Sequence, residues 1–397
     1  MTKVKSKASA SPKKSISKKA ISAPIKSAVK GAVKVEKIPS VPMTTQKKAA
    51  STAKKAAPAA SPKKAETNFD FIGMFPIRKN KDSKKIDPKK QVTGPVFEKG
   101  NYTVATLQNA LGTAFLSEMK EAYKAKHIGD GLSGKEIVLI PNDNPITATI
   151  ESLIGRLQQG EFDMVIANVK DIPLVLPDSL QLAAVLRRED PRDVLITRST
   201  YGAIQELPRN SRVSAGSKRR LMQVRALRDD VTFVETKGSS AADRLKKLDT
   251  DEADAVILAW STLKRLNISP RFYVSLQSEV MLPAPCQGNV GILCRGADEN
   301  LLAKLRYIED SEASWASRCE RAFLLKMGGK GNSPIGALAH RKGTQDPWIL
   351  DIVVGDATNG ELLRHREIGT SRCKPESLAD KAFSGVLAKG ARKFLWP

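Results

Sequence analysis

The chain has 397 residues and is 41% hydrophobic, which makes a globular protein of two or three domains, each with its own core, the expected class. Four cysteines (Cys286, Cys294, Cys319, Cys373) without Cys-x-x-Cys spacing argue against a disulfide framework. No apolar run of about eighteen residues offers a membrane span and none near the start reads as a secretory signal, so a soluble, intracellular monomer with no membrane partner is expected.

The formal charge of +24 is unevenly placed. Residues 1–66 hold seventeen lysines, no arginine and only two acids, Glu36 and Glu66. Ala, Ser, Pro and Lys dominate there, and apolar side chains are too sparse and small to offset the entropy of ordering, so a disordered basic tail is expected, with 67–100 as a linker. Ser11-Pro12-Lys13-Lys14 recurs as Ser61-Pro62-Lys63-Lys64, a composition similar to linker-histone tails. A mobile polycation releases counterions along DNA or another polyanion and binds without reading bases. The tail also partly fits an organelle transit peptide, which is Ser-rich and acid-poor but normally uses arginine, or a plain solubilising segment. Nucleus and organelle (plastid or mitochondrion) both stay open.

From Tyr102 onward, short β-branched runs alternate with helical periodicity. Strands are expected at Tyr102–Thr106, Lys135–Ile140 and Met164–Ala167, with helices at Ala110–Lys126 and Ile146–Gln159 between them. The alternation restarts near Asp193 with strands at Val213–Ser214 and Val231–Val234, the helix Ala241–Leu248 and the strand Ala255–Leu258. A third unit follows the strand Val290–Cys294, with a helix over Ser311–Met327, a strand over Trp348–Val354 and helix over Pro375–Leu395. The β-α-β order predicts parallel sheets covered by helices, in three α/β domains. Ligands of such sheets lie beyond the carboxyl ends of strands, which singles out the loops after Ala167, Val213, Val234 and Leu258, each carrying basic residues.

Several segments, in order, resemble the hydroxymethylbilane synthase (porphobilinogen deaminase) family. They are Asp163 to Pro173 around Asn168-Val169-Lys170-Asp171, Arg188-Glu189-Asp190-Pro191-Arg192-Asp193, Ser217-Lys218-Arg219-Arg220, and Asp243-Arg244-Leu245 with Lys247-Leu248-Asp249. Thr262-Leu263-Lys264-Arg265-Leu266, Leu282-Pro283-Ala284-Pro285-Cys286-Gln287-Gly288, and Glu320-Arg321-Ala322-Phe323 leading to Pro334-Ile335-Gly336 complete the series. The resemblance implies two doubly wound, periplasmic-binding-protein-like α/β domains, 101–192 with about 285–300 and 193–284, and a small C-terminal α/β domain, 301–397.

It also implies the family reaction of tetrapyrrole (heme) biosynthesis, in which porphobilinogen units join head to tail with loss of ammonia on a cysteine-bound dipyrromethane cofactor. Asp171 matches the catalytic aspartate, an anion that accepts pyrrole N–H groups and stabilises the cation formed on deamination. Lys170, Arg219, Arg220, Arg244 and Arg265 match positions that bind substrate and cofactor carboxylates, with Ser217 as an added donor. Lys237 stands where the family has arginine and offers only a point charge. Without the family frame, a Lys-Asp pair after a strand reads as a solvated charge pair, and the Glu-Asp-Pro-Arg-Asp run as a turn and cap.

Three departures stand out. The family's Gly-Gly-Cys, two residues before a further Pro, aligns without gaps to put Gly331 at the cysteine, and glycine has no nucleophile. Leu107 replaces an arginine, and between Pro141 and Gln159 the chain is shorter than the family and lacks its Gly-rich covering segment. Cys286 is the nearest substitute anchor, though burial as a small apolar side chain is its ordinary role. His127, His340 and His365 lie far apart, and Gly328-Gly329-Lys330-Gly331 follows a helix instead of opening one, so neither a metal nor a nucleotide loop is expected. Two functions compete: a divergent synthase that binds a preformed tetrapyrrole or dipyrrole without a covalent link, and a non-catalytic pseudoenzyme that keeps the cleft for an anionic ligand, its tail contacting DNA or another polyanion. Porphobilinogen or another polycarboxylate pyrrole is the expected small-molecule partner.

Overall fold

The apolar runs after Tyr102 form strands that sort into three sheets. The computed structural model describes residues 102–107, 109–126, 136–140 (backbone), 149–234, 240–270 and 272–395. The tail and linker expected at 1–100, His127, Lys237 and residues 141–148 of the stretch Pro141 to Gln159 expected to be shortened lie outside the described residues.

The strands are β1 (Thr103–Leu107), β2 (Glu136–Ile140), β3 (Met164–Asn168), β4 (Leu180–Val185), β5 (Asp193–Thr197), β6 (Arg212–Ser214), β7 (Thr232–Phe233), β8 (Ala255–Ala259), β9 (Tyr273–Ser275), β10 (Val290–Arg295), β11 (Ile335–His340), β12 (Ile349–Gly355) and β13 (Leu362–Ile368). The helices are α1 (Ala110–Ala125), α2 (Ile150–Gln158), α3 (Lys218–Arg225), α4 (Ala241–Asp249), α5 (Trp260–Arg265), α6 (Glu299–Ile308), α7 (Ser311–Lys326) and α8 (Pro375–Ala388).

In the first sheet, ordered β2-β1-β3-β10-β4, β1 runs parallel to β2 and β3, as β-α-β alternation through α1 and α2 requires. The second sheet, β7-β6-β8-β5-β9, repeats this: β6 is parallel to β7 and β8. The sheets are nevertheless mixed, not purely parallel as expected, because β10 is antiparallel to β3 and β4, and β5 to β8 and β9. β10 and β5 are the strands through which the chain passes between the two sheets, so each enters against the local direction.

Asn109 caps α1 by accepting from Gly112 N at 2.9 Å, and Phe115, Leu116, Met119 and Tyr123 form its buried stripe. A Cβ on Gly112 would stand 2.1 Å from the Leu107 carbonyl oxygen, so glycine lets α1 close onto the end of β1. α2 starts with Thr149 as its cap, later than the expected Ile146.

The third sheet is antiparallel, β11-β12-β13, and α7 and α8 share its core with Phe323, Leu350, Ile352, Leu378 and Val386. α6 instead packs Leu301, Leu302, Leu305 and Ile308 into the core of the first sheet. The expected C-terminal domain boundary at 301 therefore falls inside the first core. The helix expected over Pro375–Leu395 stops at Ala388, where Gly390 turns the backbone at φ +90° before a single 3₁₀ turn, Ala391–Phe394.

Candidate functional site

Three consecutive residues of the segment entering β10 brace the site. Gln287 Nε2 donates to the Asp193 carboxylate at 3.0 Å, the Gly288 carbonyl accepts from Arg265 at 2.9 Å, and the Asn289 carbonyl accepts from Val169 N at 3.0 Å. Gly288 sits at φ +90°, and a Cβ there would stand 2.4 Å from the Glu189 carbonyl oxygen of the other crossing segment. The two segments touch backbone to backbone, and only glycine permits it.

At the end of β3, one 3₁₀ turn, Val169–Asp171, carries Asp171 out of the sheet. Buried Val169 and Ile172 anchor the turn, while the Asp171 side chain stays 46% exposed. Its carboxylate accepts from Lys170 Nζ at 2.7 Å and Asn168 Nδ2 at 3.0 Å. An ion pair this open is worth little to stability, so the anion stays available to a ligand N–H. Gly331 lies alongside: a Cβ there would meet only the Lys170 carbonyl oxygen, at an ordinary 3.5 Å.

Ser217 caps α3 by accepting from Arg220 N at 3.3 Å, which keeps its own hydroxyl hydrogen to donate. Arg219 and Arg220 turn inward, each 2.7 Å from a different oxygen of Asp193, whose side chain is fully buried. Arg219 also donates to the Leu282 carbonyl at 2.7 Å. Burial alone would raise the Asp193 carboxyl, but the charges of Arg219 and Arg220 outweigh it and hold it below the usual carboxylate range.

One carboxylate between two guanidiniums leaves a net positive charge, and Arg244 adds to it. Among the described residues Arg244 has no carboxylate partner, and its Nε is buried without a hydrogen bond. Burial, and then the charge of Arg220, depress its pKa. Arg220 and Arg244 therefore repel at a corner capped by a helix N-terminus, where a bound anion relieves both.

Arg265 is committed elsewhere. It is 4% exposed and grips Glu118 of α1 through Nε at 2.5 Å and Nη2 at 3.1 Å, over the Phe115 ring. The structure thus gathers Lys170 and Asp171 beside Gly331, and Ser217, Arg219, Arg220 and Arg244 at a second corner, with Arg265 braced between α5 and α1. A separate cavity of about 340 Å³ on the third sheet, lined in part by Glu279, Asp351, Arg364 and Lys389, shares none of these residues.

A family model described as "Porphobilinogen deaminase, dipyromethane cofactor binding domain" matches residues 100–303. The porphobilinogen deaminase of Roseiflexus sp. is 37% identical over 286 residues, covering 70% of this chain and 92% of that protein. This chain belongs to the porphobilinogen deaminase family. The Xanthomonas axonopodis porphobilinogen deaminase is 31% identical over 69% of this chain and 94% of its own length. Among solved structures, the chain is similar to the periplasmic aliphatic sulphonate binding protein SsuA of Escherichia coli, at 14% identity and a TM-score of 0.34 over 58% of this chain and 80% of that one.

In a porphobilinogen deaminase, a cysteine thiol holds the family's dipyrromethane. Gly331 supplies none. Cys286 is buried at φ +61° with its thiol 3.6 Å from the Ser317 carbonyl, and burial, then the charge of Glu320, push its pKa up to about 12. Burial likewise raises Cys294 to about 11 and Cys319 further. A neutral buried thiol is no nucleophile, so these residues do not fit a thioether to the cofactor. Leu107, at the family's arginine, packs against the Leu153 and Phe162 cluster. His340 and His365 pair with Asp351 and Glu367.

Asp193, Glu118, Glu320, Arg321 and Gln287 were missed as site residues by sequence reasoning. Glu320 is wholly buried, takes Arg188 at 2.6 Å and accepts from Cys286 N and Ala339 N, tying the site to the third sheet. Asp190 does form the expected turn, accepting from Arg192 N at 3.0 Å. Asp193, three residues on, is the buried anion, and its position at the head of the apolar run Val194-Leu195-Ile196 was the available signal.

Proposed function

We propose that this chain is a non-catalytic member of its family that binds porphobilinogen or a related carboxylated pyrrole without a covalent primer, within tetrapyrrole biosynthesis. The observation that carries the reading is Gly331, which stands beside the Lys170–Asp171 turn where the family attaches its cofactor, while Cys286, Cys294 and Cys319 are buried and Cys373 is half-buried. Asp171 offers an exposed carboxylate to a pyrrole N–H, and Ser217, Arg220 and Arg244 offer an unbalanced positive corner to a ring carboxylate.

The test is calorimetric titration of the full chain with porphobilinogen, with ammonia release followed in parallel. Binding without ammonia is expected, and Arg244→Ala should weaken it about tenfold or more, the scale of one charge-assisted hydrogen bond. Absence of binding removes the reading; ammonia release makes the chain a divergent synthase.

The repeated Ser-Pro-Lys-Lys supports a second contact, of residues 1–66 with DNA or another polyanion. Affinity for duplex DNA should fall steeply with salt and vanish on deleting 1–66. A salt-insensitive complex, or one that survives the deletion, would defeat it, and the transit-peptide reading would then predict an organelle.

A further inference from the structure

We propose that Arg321 is a positioning residue that fixes the Asp171 turn against position 331. Arg321 projects from α7, and its guanidinium is partly buried under the segment that follows β3. Nη1 donates to the carbonyls of Val169 at 3.4 Å and Ile172 at 3.0 Å, and Nη2 to those of Pro173 at 2.5 Å and Leu174 at 3.3 Å. Among the described residues no carboxylate pairs with it.

That arrangement is expensive for a residue that merely packs. Burial depresses the Arg321 pKa, and neutral carbonyls return less than a counter-ion would. What it secures is a stretch with few bonds of its own: the turn is closed by the single bond Ile172 N to Val169 O at 3.2 Å, and Pro173 has no N–H. Planar, fixed donors suit several carbonyls at once in a way an ammonium cannot.

The same helix supplies the other side of the corner. α7 ends at Lys326, Gly328 turns the chain at φ +67°, and a Cβ on Gly329 would stand 2.5 Å from Leu324 Cδ1. A side chain there would have to displace the Leu324 and Ile335 methyl groups, and the chain continues to Gly331 next to the Lys170 carbonyl. One helix thus carries the clamp on the Asp171 turn and leads directly into the segment that faces it.

The inference rests on reading Asp171 as the acid of the site, but its test needs no pyrrole. Gly331→Cys places a reporter thiol beside the Lys170 carbonyl, one residue before Asp171, and its alkylation by iodoacetamide is followed against pH by peptide mass. Removing the neighbouring carboxylate with Asp171→Asn should move that profile to lower pH, because a carboxylate disfavours the thiolate. With Arg321 intact the shift should be clear, with Arg321→Met it should vanish, and with Arg321→Lys it should return in part. An equal shift in the Arg321→Met protein, or none with Arg321 intact, overturns the proposal. Should Arg321→Met not fold, Arg321→Gln is read by the same comparison. Failure to bind porphobilinogen would remove the functional reading and leave this coupling measurable.

Discussion

Arg219 Nη1 lies 2.7 Å from Asp193 Oδ2, and Arg220 Nη2 lies 2.7 Å from the other oxygen of the same enclosed carboxylate. One anion holds two cations from successive positions of α3, with Gln287 adding a donor from the segment that enters β10. The positive corner of the site is therefore built on a structural ion cluster, and its capacity for a ligand carboxylate is what Asp193 leaves uncompensated.

Asp193→Asn keeps the volume and removes the anion, leaving two buried guanidiniums facing each other. A loss of about 3–5 kcal/mol in urea unfolding is expected, the scale for breaking a buried pair. The pH dependence has a definite sign. The folded-state carboxyl is held below its ordinary value of about 4, so its contribution is complete above that value and is lost as pH falls through the depressed one. The stability gap between wild type and variant should narrow below about pH 4. A gap as wide at pH 2 as at pH 7 would contradict the assignment.

Two glycines make opposite predictions. Gly288→Ala must adopt φ +90° and meet the Glu189 carbonyl at 2.4 Å, so it should cost about 2 kcal/mol or more and disturb the approach of the two crossing segments. Gly331→Ala meets one oxygen at 3.5 Å and should change stability by less than about 0.5 kcal/mol. Thermal melts of both variants check the pair, and a severe loss at 331 would mean that glycine is kept there for packing.

Much of the fold was legible because periodicity is a local property. Strands such as β1, β3 and β8 and the helices α1 and α7 declare themselves through apolar runs and caps, and the restart near Asp193 marks the second sheet. The partners of β5 and β10 were not legible, since Asp193–Thr197 is buried throughout and a continuous apolar run does not say against which strand it lies. The same limit applies to the site. Asp171, Arg219 and Arg220 could be found by motif, but which arginines face protein carboxylates depends on Glu118 and Asp193, residues far away in the chain.

The cysteines give a prediction of chemistry. With Cys286 at about 12 and Cys294 at about 11, both enclosed, neither should react with iodoacetamide at pH 8 in the folded protein, and both should react in urea. Peptide mass analysis after each treatment separates the sites. Native-state alkylation of Cys286 at the rate of free cysteine would reopen it as a covalent anchor.

Whether this porphobilinogen deaminase relative carries a covalent primer is measured most directly by the intact mass of the full chain, denatured after incubation with porphobilinogen. An unchanged polypeptide mass, with no ammonia in the supernatant, is the predicted result. A gain equal to a dipyrromethane, accompanied by ammonia, would contradict it and show that this chain makes its own primer through a residue other than Gly331.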